Sequence, residues 1–209
     1  MGCDIHDFVE IKVNDKWEMV GEVFENYDKR LSKHPYDGRN YTLFGLLAGV
    51  RNTNVIPISG PKGVPIDASQ DFLDELEQWG NDGHSISYLT LKEILDYPLW
   101  NIEIPIAGFV NANQYNDICS SGRAKSTFFK NVGSDETIIS NEEMDRYIVN
   151  PKDFLSNNPT MNPYTKVEWY ETVRDWAGDY FWDKVILRMK DLAPNGDYDR
   201  IRLVFFFDN

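Results

Sequence analysis

Cysteine is nearly absent from this chain: Cys3 and Cys119 are the only two in 209 residues. Two thiols so far apart make no disulfide framework, and a reducing compartment, the cytoplasm, is expected. No apolar run approaches the roughly 18 residues that a membrane span needs, so no membrane partner is expected. The opening Met1-Gly2-Cys3-Asp4-Ile5-His6 lacks the basic and apolar regions of a secretory signal. Positive charge is also in short supply. Lys and Arg total 21 against 34 Asp and Glu, a net charge of -13. Such a field repels duplex nucleic acid and anionic lipid, while a small anionic molecule still answers to the local field around a few cations. Histidine occurs three times. What is plentiful is aromatic surface: 14% of residues are Phe, Trp or Tyr, within a hydrophobic fraction of 42%, enough for a substantial core.

Residues 3 to 13 alternate, with Cys3, Ile5, Asp7, Val9 and Ile11 on one face and Asp4, His6, Phe8 and Glu10 on the other. Asn14-Asp15 reads as a tight turn into a second strand over 17–23, a hairpin. Tyr41 to Val50 reads as a short helix capped by Asn40. Residues 52 to 66 carry Pro57, Gly60, Pro61, Gly63 and Pro65 and predict a long ordered loop. Ser69 caps a helix to Trp79, residues 80–87 read as turn-rich, and Thr90 with Glu93 forms a capping box, as does Ser140 with Glu143. Ile102 to Val110 reads as a strand and 111–135 as a polar segment. Val167 to Leu192 has near-helical apolar spacing with a bend at Gly178. The chain then ends on Leu203-Val204-Phe205-Phe206-Phe207, a strand apolar on both faces and therefore central. The pattern predicts one α+β domain over 1–209 with an irregular insertion around 100–165. Its sheet is mainly antiparallel, the first and last strands are adjacent, and helices pack on it.

Two Asp-x-His pairs stand out: Asp4-Ile5-His6 and Asp82-Gly83-His84. Two carboxylates and two imidazoles make a donor set suited to a divalent Zn, Mn or Fe ion, so Asp4, His6, Asp82 and His84 are the candidate metal ligands. The alternative is structural, with Asp82 and His84 capping a turn. If the end strands pair antiparallel, Asp208 falls near Asp4 as a ligand or general base. Cys3 as a nucleophile would stand on the face opposite His6, which favours a small buried hydrophobe instead.

Arg39 and Arg51 bracket the first helix and are the candidate anion contacts of the catalytic set. Lys62 in the Pro/Gly loop, Ser85, and Arg123 with Lys125 in Ser121-Gly122-Arg123-Ala124-Lys125-Ser126-Thr127 are candidate ligand-binding residues. That last segment lacks the glycines of a P-loop, so only a generic phosphate or carboxylate contact is expected.

The opening MGCDIH resembles a group of small proteins encoded by bacteriophages and bacteria. The likeness extends to Gly38-Arg39-Asn40-Tyr41 through Val50-Arg51-Asn52, Pro61-Lys62-Gly63-Val64-Pro65, Asp82-Gly83-His84-Ser85-Ile86-Ser87 and the ending Phe207-Asp208-Asn209. It implies a phage or bacterial setting and transfers no mechanism. Asp4-Ile5-His6 is locally similar to the first metal motif of calcineurin-like metallophosphoesterases. The later motifs of that family have no counterpart here, so the likeness implies ligand logic alone. Together these readings predict a metal-dependent hydrolase of a small phosphorylated or nucleotide-like substrate. The alternative is a non-enzymatic phage protein that binds a small nucleotide or a host protein, in counter-defence or a structural role.

Overall fold

A computed structural model describes residues 2–26, 28–52, 55–123, 137–156 and 162–208. The first part of the chain forms β1 (Ile5–Val13), β2 (Lys16–Met19), β3 (Phe24–Glu25), β4 (Leu31–Ser32), α1 (Tyr41–Ala48), α2 (Gln70–Trp79), β5 (His84–Thr90) and α3 (Leu91–Leu95). The middle forms β6 (Glu103–Asn111), α4 (Ala112–Ser121), α5 (Asn141–Val149), α6 (Pro151–Leu155), β7 (Tyr164–Thr172) and α7 (Val173–Ala177). A π turn (Phe181–Ile186), α8 (Leu187–Leu192) and β8 (Ile201–Phe207) follow. The chain divides into two compact units, one of Met1–Trp100 with Ala177–Asn209 and one of Asn101–Trp176. The architecture is α+β, as the hydropathy pattern predicts.

The first unit is built on an antiparallel sheet of order β2-β1-β8-β5. Asn14 and Asp15 take φ of 48° and 63°, the two left-handed residues of a tight hairpin that joins β1 to β2. The last strand lies between β1 and β5 and is buried along its whole length, because both faces of the sheet are covered. On one face α2 packs Phe72 against Phe8, Val204 and Phe206. On the other, Phe44 of α1 meets Phe207 edge-on at 5.2 Å. Asn40 starts α1 by accepting from the backbone N–H of Thr42 and Leu43 at 2.9 and 3.1 Å, and Gly49 ends it at φ 73°.

Register along β1 and β8 is held by a buried ion pair. Glu10 faces Arg202 across the strands, and Arg202 Nε donates to Glu10 Oε2 at 2.6 Å with both side chains almost fully buried. Ser69 N–H donates to the other Glu10 oxygen at 2.8 Å, and Arg202 also donates to Asp67 Oδ1 at 2.9 Å. Trp17 lies 4.0 Å beneath the guanidinium. Every charge in the group has partners, which is the condition under which such burial is tolerated.

The second unit pairs β6 with β7 antiparallel from Glu103↔Thr172 to Asn111↔Tyr164. Ile106, Val110, Tyr115, Met144, Val167 and Trp169 form its core. Within the stretch around 100–165, β6 and α5 form where the strand over Ile102 to Val110 and the Ser140 capping box are read from the sequence, and further regular elements join them. Asn111 with Gln114 makes a full capping box that opens α4 inside the segment read as polar loop. β7 replaces the first turns of the helix expected from Val167. Thr165, Val167, Trp169 and Glu171 are buried while Lys166, Glu168 and Tyr170 are exposed, a period of two that the aromatic positions also satisfy. Gly178, at φ 94°, separates α7 from the later helical turns. In the first unit, the segment read as turn-rich over 80–87 enters β5 at His84; a bulge with Ser85 at φ 51° interrupts its alternation.

Candidate active site at the paired strand ends

The antiparallel register of β1 and β8 brings the two ends of the folded chain together. Asp208 N–H donates to the Asp4 carbonyl at 3.1 Å. In return the Asp4 N–H donates to Asp208 Oδ1 at 2.9 Å, which fixes that carboxylate. Its second oxygen, Oδ2, lies 3.2 Å from His6 Nε2. The result is a His–Asp dyad in which the carboxylate is oriented by backbone and the imidazole by the carboxylate. Both side chains are less than a fifth exposed. The imidazole stacks on Phe206, its partner across the strands, at 5.0 Å, and the Trp79 ring at the end of α2 closes on it at 4.0 Å.

Two cations from either end of α1 reach the same lead-in segment. Arg39 binds Asp4 with two N–H groups, Nε to Oδ1 at 2.8 Å and Nη2 to Oδ2 at 2.5 Å. The Arg39 guanidinium holds the Asp4 carboxyl below the usual carboxylate range, against a smaller opposing effect of burial. The guanidinium lies over Gly2, where an added Cβ would stand 2.8 Å from Nη1. Arg51, at φ 51° beyond the end of α1, hydrogen-bonds the Cys3 thiol. Burial pushes that thiol up and Arg51 opposes the shift, with a net rise. Cys3 is 0% exposed, so it is a protonated core residue rather than a nucleophile.

The expected four-residue metal site does not form. His6 pairs with Phe206 and His84 with Phe207, and consecutive residues of β8 project to opposite faces. His84 accordingly lies along Phe207 at 6.2 Å, whereas Gly83 faces Phe206, Leu76 and Trp79. Asp82 sits exposed in the turn before β5, and the Asp4 carboxylate is committed to Arg39. Among the described residues no three His, Cys, Asp or Glu side chains gather to hold an ion. Asp4, His6, Asp82 and His84 thus do not fit one shared metal.

The remaining candidates separate. Ser85 Oγ lies 3.0 Å from His84 Nδ1, and His84 Nε2 is buried without a partner. Lys62 pairs with Glu93 at 2.5 Å, and its backbone N–H donates to Ser87 Oγ, so it braces the loop against β5. Arg123 belongs to the second unit and pairs with Asp175 at 2.7 Å. Lys125 lies outside the described residues. The Pro/Gly loop is irregular over 55–66 as expected, and Gly63 N–H bonds the Ile86 carbonyl on the open side of β5.

Trp79 is the site residue that sequence reasoning passes over. It ends an amphipathic helix, and only the placement of that helix over β1 makes it a neighbour of His6. No protein-family model, curated protein or solved structure matches this chain. No membrane-length apolar helix is present among the described residues.

Proposed function

We propose that this chain is a hydrolase of a small phosphorylated or nucleotide-like substrate, with the His6–Asp208 dyad as its acid–base group. The observation that carries the reading is the 3.2 Å approach of His6 Nε2 to an Asp208 carboxylate that is itself fixed by the Asp4 N–H. A carboxylate oriented in this way selects the imidazole tautomer with the proton on Nε2 and leaves Nδ1 to accept one. His6 takes a proton from water as the water oxygen attacks phosphorus. The bond from phosphorus to the leaving oxygen breaks, and His6 returns the proton to that oxygen. Asp208 stabilises the imidazolium between the two transfers. Arg39 retains Nη1 beyond its two contacts to Asp4, and with Arg51 it supplies positive charge for the phosphoryl oxygens. The face of Trp79, 36% exposed, offers a stacking surface beside His6.

The second reading is a binder without turnover, in which the same groups hold a nucleotide. The pairing of Arg39 with Asp4 favours it, since a cation already neutralised is a weaker stabiliser of developing charge than a free one. A panel of phosphomonoesters, phosphodiesters and nucleotides separates the two. The hydrolase reading expects turnover that survives chelation of divalent ions and falls at least 100-fold in His6→Gln. Saturable binding with no product in any case would establish the binder instead.

A further inference from the structure

Of the six tryptophans, Trp100, Trp169 and Trp182 are buried, whereas Trp79 is 36% exposed. Trp79 is the last residue of α2, where Gly80, at φ 51°, breaks the helix. His6 braces the indole at 4.0 Å and Phe206 at 6.2 Å, so the ring is fixed against the core and still reachable from solvent. An exposed aromatic alone is ordinary, and here the neighbours carry the argument. Trp79 touches His6, His6 Nε2 lies 3.2 Å from Asp208, Asp208 accepts from the Asp4 N–H at 2.9 Å, and Arg39 holds the Asp4 carboxylate at 2.8 Å. The indole and the guanidinium therefore bracket the dyad. Asp4 and His6 are two residues apart on extended backbone, a spacing of about 7 Å, which is on the scale of a pentose.

From this arrangement we infer that the substrate is a nucleoside phosphate and that Trp79 determines the specificity. The base stacks on Trp79, the pentose crosses His6, and the phosphoryl group lies toward Arg39. The inference rests on the hydrolase reading for the chemistry at His6 and narrows its substrate class. A phosphorylated sugar or acid without a ring system leaves the indole unused. Stacking accepts every base, because each has a π face, and it is worth about 5- to 150-fold in affinity per base. Purines cover more of the indole than pyrimidines and are the preferred bases.

The test compares AMP with ribose 5-phosphate, which carries the same phosphoester on the same pentose without the base. The whole protein is titrated by calorimetry and product is assayed, the preference being a ratio of Kd values where no product forms and of kcat/KM where it does. AMP should saturate below about 10 mM and be preferred at least fivefold. Trp79→Leu should bring the ratio close to one, whereas a merely structural tryptophan would move both ligands alike and leave the ratio unchanged. Lack of any AMP saturation by about 10 mM, a parent ratio below about fivefold, or a ratio unchanged in Trp79→Leu would each overturn the assignment. If Trp79→Leu does not fold, Trp79→Phe replaces it: the smaller ring should lower the ratio without abolishing it, and an unchanged ratio would overturn the assignment. The two readings fail separately. AMP binding that depends on Trp79 without product upholds the base platform and removes the hydrolase. Equal turnover of AMP and ribose 5-phosphate keeps the hydrolase and removes the platform.

Discussion

At Asp7 the chain buries a carboxyl group completely, and the site chemistry makes no use of it. Oδ1 accepts from the Tyr36 N–H at 3.3 Å, and Oδ2 has no partner. Burial pushes its pKa well above the ordinary carboxylate range, so the folded protein holds Asp7 neutral where the unfolded chain is ionised. The stability it contributes is full below the unfolded pKa and is lost as pH rises through the folded one. Asp7→Asn removes that slope. Its stability relative to the parent should grow with pH, by on the order of 1–3 kcal/mol at pH 8, as measured by urea unfolding at several pH values. His34 has the opposite sign. Burial lowers its pKa below 6.5, so its stability is present above that value and is lost on acidification. The alternation of β1 places Asp7 and Glu10 on opposite faces, and a strand buried on both faces must bury both acids. Sequence alone showed the alternation. The burial became legible only with β8 beside it and helices over each face.

At the scale of elements, local signals were the legible ones. Asn40, Ser69, Thr90 and Ser140 cap helices where the sequence places them, because an N-cap bond is made within a few residues of chain. Asn40→Ala should cost about 1–2 kcal/mol, since it removes the cap and the bond from Asn40 Nδ2 to the Ala177 carbonyl at 3.1 Å. Tertiary signals were harder to read. β7 and β5 were missed because a period of two and a period of 3.6 share several positions in short aromatic stretches, and because a bulge at Ser85 resets the alternation. The Asp-x-His symmetry misled for a related reason. Two motifs with the same spacing sit on strands whose cross-strand partners differ by one residue, and one residue reverses the face. The Glu10–Arg202 pair has no local signature either, as its members lie on the first and last strands. Arg202→Met should cost about 3–5 kcal/mol by stranding Glu10. Arg202→Met with Glu10→Leu should recover most of that, a comparison read from denaturant midpoints.

For the whole molecule, the adjacency of the first and last strands is the fact on which both stability and the proposed chemistry depend. β8 joins β1 to β5 at the centre of the sheet, so a chain ending at residue 202 should fail to fold, seen as loss of soluble protein and of near-ultraviolet dichroism. This adjacency was readable from two signals together: the apolar run 203–207 needs a central place, and ordered chain ends need a partner strand. It led correctly to Asp208 beside Asp4, while the residue that receives the second carboxylate oxygen, His6, emerged from the register. The most direct test of the dyad is a double-variant cycle on the rate of phosphoester hydrolysis with His6→Gln, Asp208→Asn and both together. Groups that act as one unit lose their effect together, so the double variant should be no slower than the slower single variant, each at least 100-fold below the parent, with His84→Ala unchanged. Full activity in Asp208→Asn, or losses that multiply in the double variant, would contradict the account.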